Sequence, residues 1–306
     1  MYIADDHGFV HRADAAHIVG DGRLRRDVGD GVLERVWRGM YRFSDDAPSH
    51  ADEHYRERVI AAAVAGGDER SISHSSAAAV HRLRLLDPDR RVVHFVTKTG
   101  GRETATLFVH RDRRLLPSDI EIVDGVQVTT LARTAADVAR AGTYAQAVTV
   151  LDAALARGVS KAALEVHVRR GHRQHGVTML RSASAVADGR SESVAESFSR
   201  AVMLTFPDVP APEIQVEICN DEGQFVARVD FLIAGKVVGE MDGRAKYRSE
   251  TYGRDLEQVL YEEKLREDAL RDLGYGIVRW CWQDLVHPER LHTKVKRALE
   301  RARRVP

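Results

Sequence analysis

The sequence predicts a mixed α/β protein, α+β taken as a whole, in three successive segments: residues 1–48, 49–185 and 186–306. Three observations carry that expectation. Two short glycine-separated helical stretches lead into a strand–turn–strand at the amino end. Helical and strand-like apolar periodicities then follow each other through the middle. Near the carboxyl end a helix, a strand, a hairpin, a long charged helix and a further strand come in the order αβββαβ. Composition agrees: 43% of the 306 residues are apolar, 30% are charged and only 8 are proline, too apolar for a disordered chain. No apolar run approaches the roughly 20 residues that span a bilayer. The start, MYIADDHGFVHRAD, has no basic stretch followed by an apolar one, so no signal peptide is expected. Two cysteines, Cys219 and Cys281, exclude a disulfide framework or a four-cysteine zinc site. Cys281, inside GIVRWCW, is expected in the core, and a reducing cytoplasm is the expected compartment.

Formal net charge is zero, with 46 basic and 46 acidic residues, so no global basic excess argues for nucleic acid. The distribution is uneven. Basic residues dominate 81–114, 157–181 and 290–306, and 186–272 is acidic in compensation. Basic patches on a neutral chain fit a phosphate footprint, and they fit ordinary solvated helices too.

Residues 11–19 read as a short helix. Gly20-Asp21-Gly22 breaks it, with Asp21 as the expected cap of a second helix over 22–29 that carries Arg23, Arg25 and Arg26. Gly29-Asp30-Gly31 turns the chain, and strand-like positions from Val32 to Phe43 flank a turn at Arg38-Gly39. Helix, turn, arginine-bearing helix and wing is the order of a winged helix-turn-helix, in which the second helix enters the major groove and basic residues such as Arg38 hold phosphates. A small helical adaptor with a solvated arginine face fits the same residues. In the middle segment, helices are expected at 51–65, 74–84, 130–141, 143–157 and 160–171, and strands at 92–97, 104–110 and 120–129.

Residues 7–43, notably LRRDVGDGVLERVWRGMYRF, together with VTTLARTAADVAR at 128–140, resemble AbiEi-type antitoxins of type IV toxin–antitoxin systems. The resemblance covers roughly the first 180 residues. It implies DNA binding through the winged helix, autorepression of an operon and a cognate toxin protein as a further partner.

The last segment opens with SESVAESFSRAVMLTF, whose Glu192, Glu196 and Arg200 lie on one helical face. The most informative stretch is 227–243, two strands joined by Ala234-Gly235-Lys236. A three-residue loop sets Ile233 opposite Val237 and Asp230 opposite Glu240. One face then carries Val229, Phe231, Ile233, Val237, Gly239 and Met241; the other carries Arg228, Asp230, Leu232, Val238, Glu240 and Asp242. A slip of one residue would mix the two sets, so burial should enforce the register. Like charges on strands about 4.8 Å apart disfavour double ionisation unless a cation lies between them or one holds a proton. Mg²⁺ prefers such oxygen ligands and retains water for hydrolysis. A solvated hairpin whose acids pair with Arg228 and Lys246 is the plainer alternative.

The segments ESFSR, RVDFL, VGEMDGRAKY, EEKLREDALRDLGY and IVRWCWQDL resemble PD-(D/E)XK nucleases related to very-short-patch repair endonucleases, over about 186–290. The resemblance implies a restriction-endonuclease-like core, a Mg²⁺ or Mn²⁺ cofactor, and metal ligation by Glu196, Asp230 and Glu240. Where the family places a lysine, this chain has Asp242. Lys246 is the preferred substitute for supporting the attacking water, and Lys264 the second choice. Two functions follow as expectations: a metal-dependent endonuclease recruited to DNA, or a DNA-binding regulator or antitoxin with a silent nuclease-like domain. The string His50-Ala51-Asp52-Glu53-His54 matches an inverted zinc-protease motif, but no third ligand accompanies it and no zinc is expected. No phosphate-binding glycine loop argues for a nucleotide cofactor, and no membrane partner is expected.

Overall fold

The computed structural model describes residues 1–242 and 256–304. The protein is mixed α/β and divides into two compact units, Met1–Ala141 with Val159–Leu180, and Gly142–Gly158 with Arg181–Pro306.

The first unit begins with β1 (Val10–His11), α1 (Arg12–Val19), α2 (Asp21–Gly29), β2 (Leu33–Trp37) and β3 (Met40–Phe43). The three strands form one sheet in the order β1-β3-β2. Val10, Ala15, Leu24 and Leu33 bury a small core, so α2 turns Leu24 inward and leaves Arg23, Arg25 and Arg26 exposed. Gly20, at φ 81, is the residue that caps α2. Asp21, expected as the cap, is instead the first helical residue and accepts a 3.3 Å hydrogen bond from Arg12. Phe9 and Met40 extend this layer into a larger core with Tyr55 and Val59 of α3 (Ala51–Gly66).

A six-stranded sheet follows. Its strands are β4 (Ser71–Ile72), β5 (Val93–Thr97), β6 (Arg102–Glu103), β7 (Leu107–Arg111), β8 (Ile120–Val123) and β9 (Val126–Thr129), in the order β6-β7-β5-β4-β9-β8. The single strand expected over 120–129 is a hairpin, because Asp124 (φ 49) and Gly125 (φ 72) make a left-handed turn suited to the strand twist. α4 (His74–Val80) packs on β5 and β9 of this sheet and against α5 (Leu131–Ala141).

At the start of α4, three histidines meet. The His74 ring stacks on His110 at 3.8 Å and 16°, and His94 Nδ1 lies 3.0 Å from His110 Nε2. Removal from water disfavours their charged forms, and the Arg133 and Arg140 charges add to this at His74; both His74 and His110 are lowered to about 3. Asp89 near His94 and Asp137 near His110 oppose the effect in part. The unfolded chain therefore binds protons that the folded chain refuses below about pH 6.5, so stability falls as pH falls. Between about pH 7 and about pH 5.5 the loss should be about 1 kcal/mol per histidine. Thermal unfolding measured against pH checks this, and a slope unchanged by His110→Phe would refute it.

The second unit contains α6 (Tyr144–Ala156), which lies between α5 and α7 (Lys161–Arg170) in the chain yet belongs with α9 (Val194–Met203). α8 (Val177–Val186) leads into it. The sheet order is β10-β11-β12-β13, from β10 (Glu213–Cys219), β11 (Phe225–Ile233), β12 (Val237–Met241) and β13 (Gly276–Trp280). The first three strands are antiparallel and β12 and β13 are parallel. Between them lies α10 (Leu256–Asp272), and α11 (Trp282–Val286) and α12 (Pro288–Arg304) follow.

Phe231, Ile233, Val237, Val278 and Trp280 pack with residues of α9 and α12. Leu232 and Val238, expected on a more polar face, are buried with Leu270 of α10, and Val229 joins that second cluster instead of the first. Gly239 is required by closeness, since a Cβ there would lie 2.6 Å from the buried Trp280 ring. Cys281, expected in the core, is exposed and starts α11, because its N–H is bonded to Asp284 (2.9 Å).

Candidate functional site

The β11–β12 hairpin turns through Ala234 (φ 53) and Gly235 (φ 65), closed by Lys236 N–H donating to the Ile233 carbonyl at 3.1 Å. Ile233 stands opposite Val237, Leu232 opposite Val238 and Phe231 opposite Gly239. That is the register the burial pattern demands. Continued one step, it sets Asp230 opposite Glu240, and Met241 N–H reaches Asp230 Oδ2 at 3.4 Å. On one side Gln215 falls between the Ile214/Phe231 and Val216/Val229 pairs, opposite Asp230. On the other side Arg279 pairs with Glu240 across the parallel ladder. Gln215, Asp230, Glu240 and Arg279 thus form a row across all four strands.

Glu240 is held by two arginines. Arg266 of α10 donates to Oε1 at 3.0 Å, and Arg279 Nε donates to Oε2 at 3.1 Å. Arg279 also pairs with Glu263 (2.9 Å) and Glu267 (3.2 Å) of α10. Burial opposes the Arg279 charge, but the Glu240, Glu263 and Glu267 carboxylates outweigh it and hold the guanidinium above its usual value.

Glu196 is buried at the first turn of α9, where Ser193 caps the helix. It accepts from Ser193 Oγ–H (2.9 Å), from Glu192 N–H (2.9 Å) and from Gln215 Nε2 (2.8 Å). The first two bonds, with Glu196 N–H donating to Ser193 Oγ, make a capping arrangement. Arg200, expected beside Glu192 and Glu196, turns instead to Asp152 of α6. Glu192 precedes α9 and pairs with Arg228.

Both oxygens of Glu240 and of Glu196 thus have donors. Among the described residues no group of three His, Cys, Asp or Glu side chains is placed to share a cation. Lys246 lies outside the described residues. Lys264 is exposed, whereas Arg266, two positions on, reaches Glu240. Sequence reasoning missed Arg266 and Arg279. The signal was present at Arg279, a charge between the apolar Val278 and Trp280 of a strand.

No family model matches the chain. It is 30% identical over 291 residues to two proteins of Mycobacterium tuberculosis, Uncharacterized protein MT2308 (strain CDC 1551 / Oshkosh) and Uncharacterized protein Rv2248 (strain ATCC 25618 / H37Rv), covering 92% of this chain and 97% of theirs. The chain belongs to the family of these mycobacterial proteins. A solved structure, the RV2827C protein from Mycobacterium tuberculosis, is similar at 15% identity and a TM-score of 0.37, over 62% of this chain and 76% of that one.

The other candidate residues of this family member lie in the first unit. Arg23, Arg25 and Arg26 share the solvent side of α2, and Arg38 is exposed in the β2–β3 turn. Arg23 is partly compensated by Asp27 at 3.3 Å. In the discounted zinc string, His54 Nδ1 lies 3.4 Å from Arg42, and Asp52 pairs with Arg90. Among the described residues no helix is long and apolar enough to cross a membrane.

Proposed function

We propose that the chain is a DNA-binding regulator of the antitoxin type whose nuclease-like second unit is catalytically silent. The observation that carries this reading is the capture of both Glu240 carboxylate oxygens by Arg266 and Arg279. A carboxylate so compensated has little charge left for a divalent cation, and displacing two hydrogen-bonded arginines costs the pairing energy of each. Asp242 at the position of the family lysine points the same way. DNA contact is assigned to α2 through Arg23, Arg25 and Arg26 and to the β2–β3 turn through Arg38. The β1–α1–α2–β2–β3 order supports this, because the recognition helix and wing of a winged helix-turn-helix occupy those places.

A second reading, metal-dependent endonuclease, is favoured by one specific observation: Asp230 and Glu240 are neighbours in a row whose next member, Gln215, is bonded to Glu196. One pair of assays separates the two. The regulator should shift a duplex spanning its own promoter, with affinity falling steeply as salt rises. It should leave supercoiled plasmid intact in Mg²⁺ or Mn²⁺. Nicking that disappears in Asp230→Ala and Glu240→Ala would establish the endonuclease and overturn the silent reading.

A further inference from the structure

We infer that the first unit carries a second nucleic-acid phosphate-contacting face, formed by Arg111, Arg113 and Arg114 at the end of β7 and by Arg169, His172 and Arg173 at the end of α7. The inference deepens the DNA-binding reading and rests on it.

The basic stretches 81–114 and 157–181 are far apart in sequence, and the fold brings their ends together. Arg114 Nη1 donates to the carbonyls of Arg170 (3.1 Å) and His172 (3.4 Å), and Arg170 Nη2 donates back to the Arg114 carbonyl (3.0 Å). The two chain segments are thereby clamped to each other by arginine–carbonyl bonds, which leave the Arg114 charge uncancelled, while Arg170 is compensated from beneath by Asp119 at 2.7 Å.

The acids of this region point the other way. Asp112, Asp119 and Asp137 are 14%, 3% and 2% exposed, and they are spent on Arg133, Arg140 and Arg170 beneath the surface. Arg111, Arg113, His172 and Arg173 are exposed, and among the described residues no carboxylate pairs with Arg111, Arg113 or Arg173. Arg169 has only a loose surface partner, Glu165 at 3.7 Å. Basic residues in the last turn of a helix offset its dipole, a local reason for His167 and Arg169 on α7. That reason does not extend to Arg111 and Arg113, which arrive on β7 and the loop after it.

Solvated arginines whose nearby acids face inward suit a polyanion. Protein partners are held instead by buried aromatic and aliphatic anchors. The exposed large apolar side chains in and next to these segments are Val166 and, two residues beyond Arg114, Leu116.

The test measures binding of the full chain to a short fluorescent duplex of random sequence across a salt series. It compares wild type with Arg113→Gln/Arg173→Gln and with Arg25→Gln/Arg26→Gln. Each lost phosphate contact lowers the slope of log affinity against log salt by about 0.9. The first variant should therefore lose up to about two in slope, with an unchanged melting temperature. A wild-type slope in that variant, alongside a reduced slope in the α2 variant, overturns this face and leaves the DNA reading standing. Tighter binding of polyglutamate than of duplex overturns it in favour of an acidic protein partner. Failure of wild type to bind duplex at all overturns both inferences together.

Discussion

Arg133→Met is expected to destabilise the first unit by about 3–5 kcal/mol, the cost of leaving buried charges without their partner. Arg133 lies on α5 and is nearly buried. Its Nε donates to Asp137 and its Nη2 to Asp112, each at 2.7 Å, and Nη1 lies 3.4 Å from Asp119. Burial works against the guanidinium charge, and Asp137 and Asp112 more than reverse that, holding it above its usual value. Asp119 has a second cation in Arg170, bidentate at 2.7 Å, and Asp137 has a weaker one in Arg140 at 3.4 Å, so the group stranded in the variant is above all Asp112. Arg133→Lys should recover only part of the loss, because one ammonium cannot reproduce three divergent bonds.

The pH dependence gives an independent check. Burial pushes the Asp112 and Asp119 carboxyls up, but the hydrogen bonds from Arg133 and Arg170 and from backbone N–H groups win, leaving both below the usual carboxylate range. Their stabilisation is present above about pH 4 and is lost as pH falls through the lowered folded values. In Arg133→Met the sign reverses: without the cation, burial dominates at Asp112, which takes up a proton more readily when folded. The deficit against wild type should then shrink between about pH 7 and about pH 5. Thermal unfolding at the two pH values, showing an equal deficit at both, would count against the hub.

Much of the fold was legible because it rests on periodicity and turn chemistry. The alternation through Phe231, Ile233 and Val237 and the turn glycine Gly235 suffice to set the hairpin register. What escaped lay below the reach of a period or depended on partners distant in the chain. β4 and β6 are two residues each, too short for alternation to register. The split of 120–129 was announced by Asp124-Gly125, a strong hairpin signal that an apolar run on both sides concealed. The row on the sheet was half legible. Strand pairing puts Asp230 beside Glu240, but Arg266 reaches Glu240 only because α10 packs Leu270 against Leu232 and Val238. The same contact turned a hairpin face expected to be more polar into a largely buried one. The step from carboxylate pair to metal site therefore depends on which cation the neighbouring helix supplies, and strand pairing alone does not carry it.

The second unit hangs on a pair that no local pattern announces. Asp152 of α6 is fully buried and accepts two bonds from Arg200 Nη2 of α9, at 2.6 and 2.7 Å. Arg200 Nη1 donates to the Val186 carbonyl, and Asp188 N–H donates to Asp152 Oδ1 at 2.8 Å. Forty-eight residues separate the partners, which explains why α6 belongs with α9 and not with its chain neighbours. Arg200→Leu strands a carboxylate that has no exposed surface and should cost about 3–5 kcal/mol. Asp152→Leu strands the guanidinium and should cost a similar amount. The double variant Asp152→Leu/Arg200→Leu leaves no buried charge, and filling the site with apolar side chains should recover most of the loss. Urea unfolding followed by Trp280 and Trp282 fluorescence, in a Trp37→Phe background, reports this unit alone. Strict additivity of the two single losses would show that the pair is not coupled. Strong recovery would show that α6 and α9 are held by packing, with the charges fixing which helices meet.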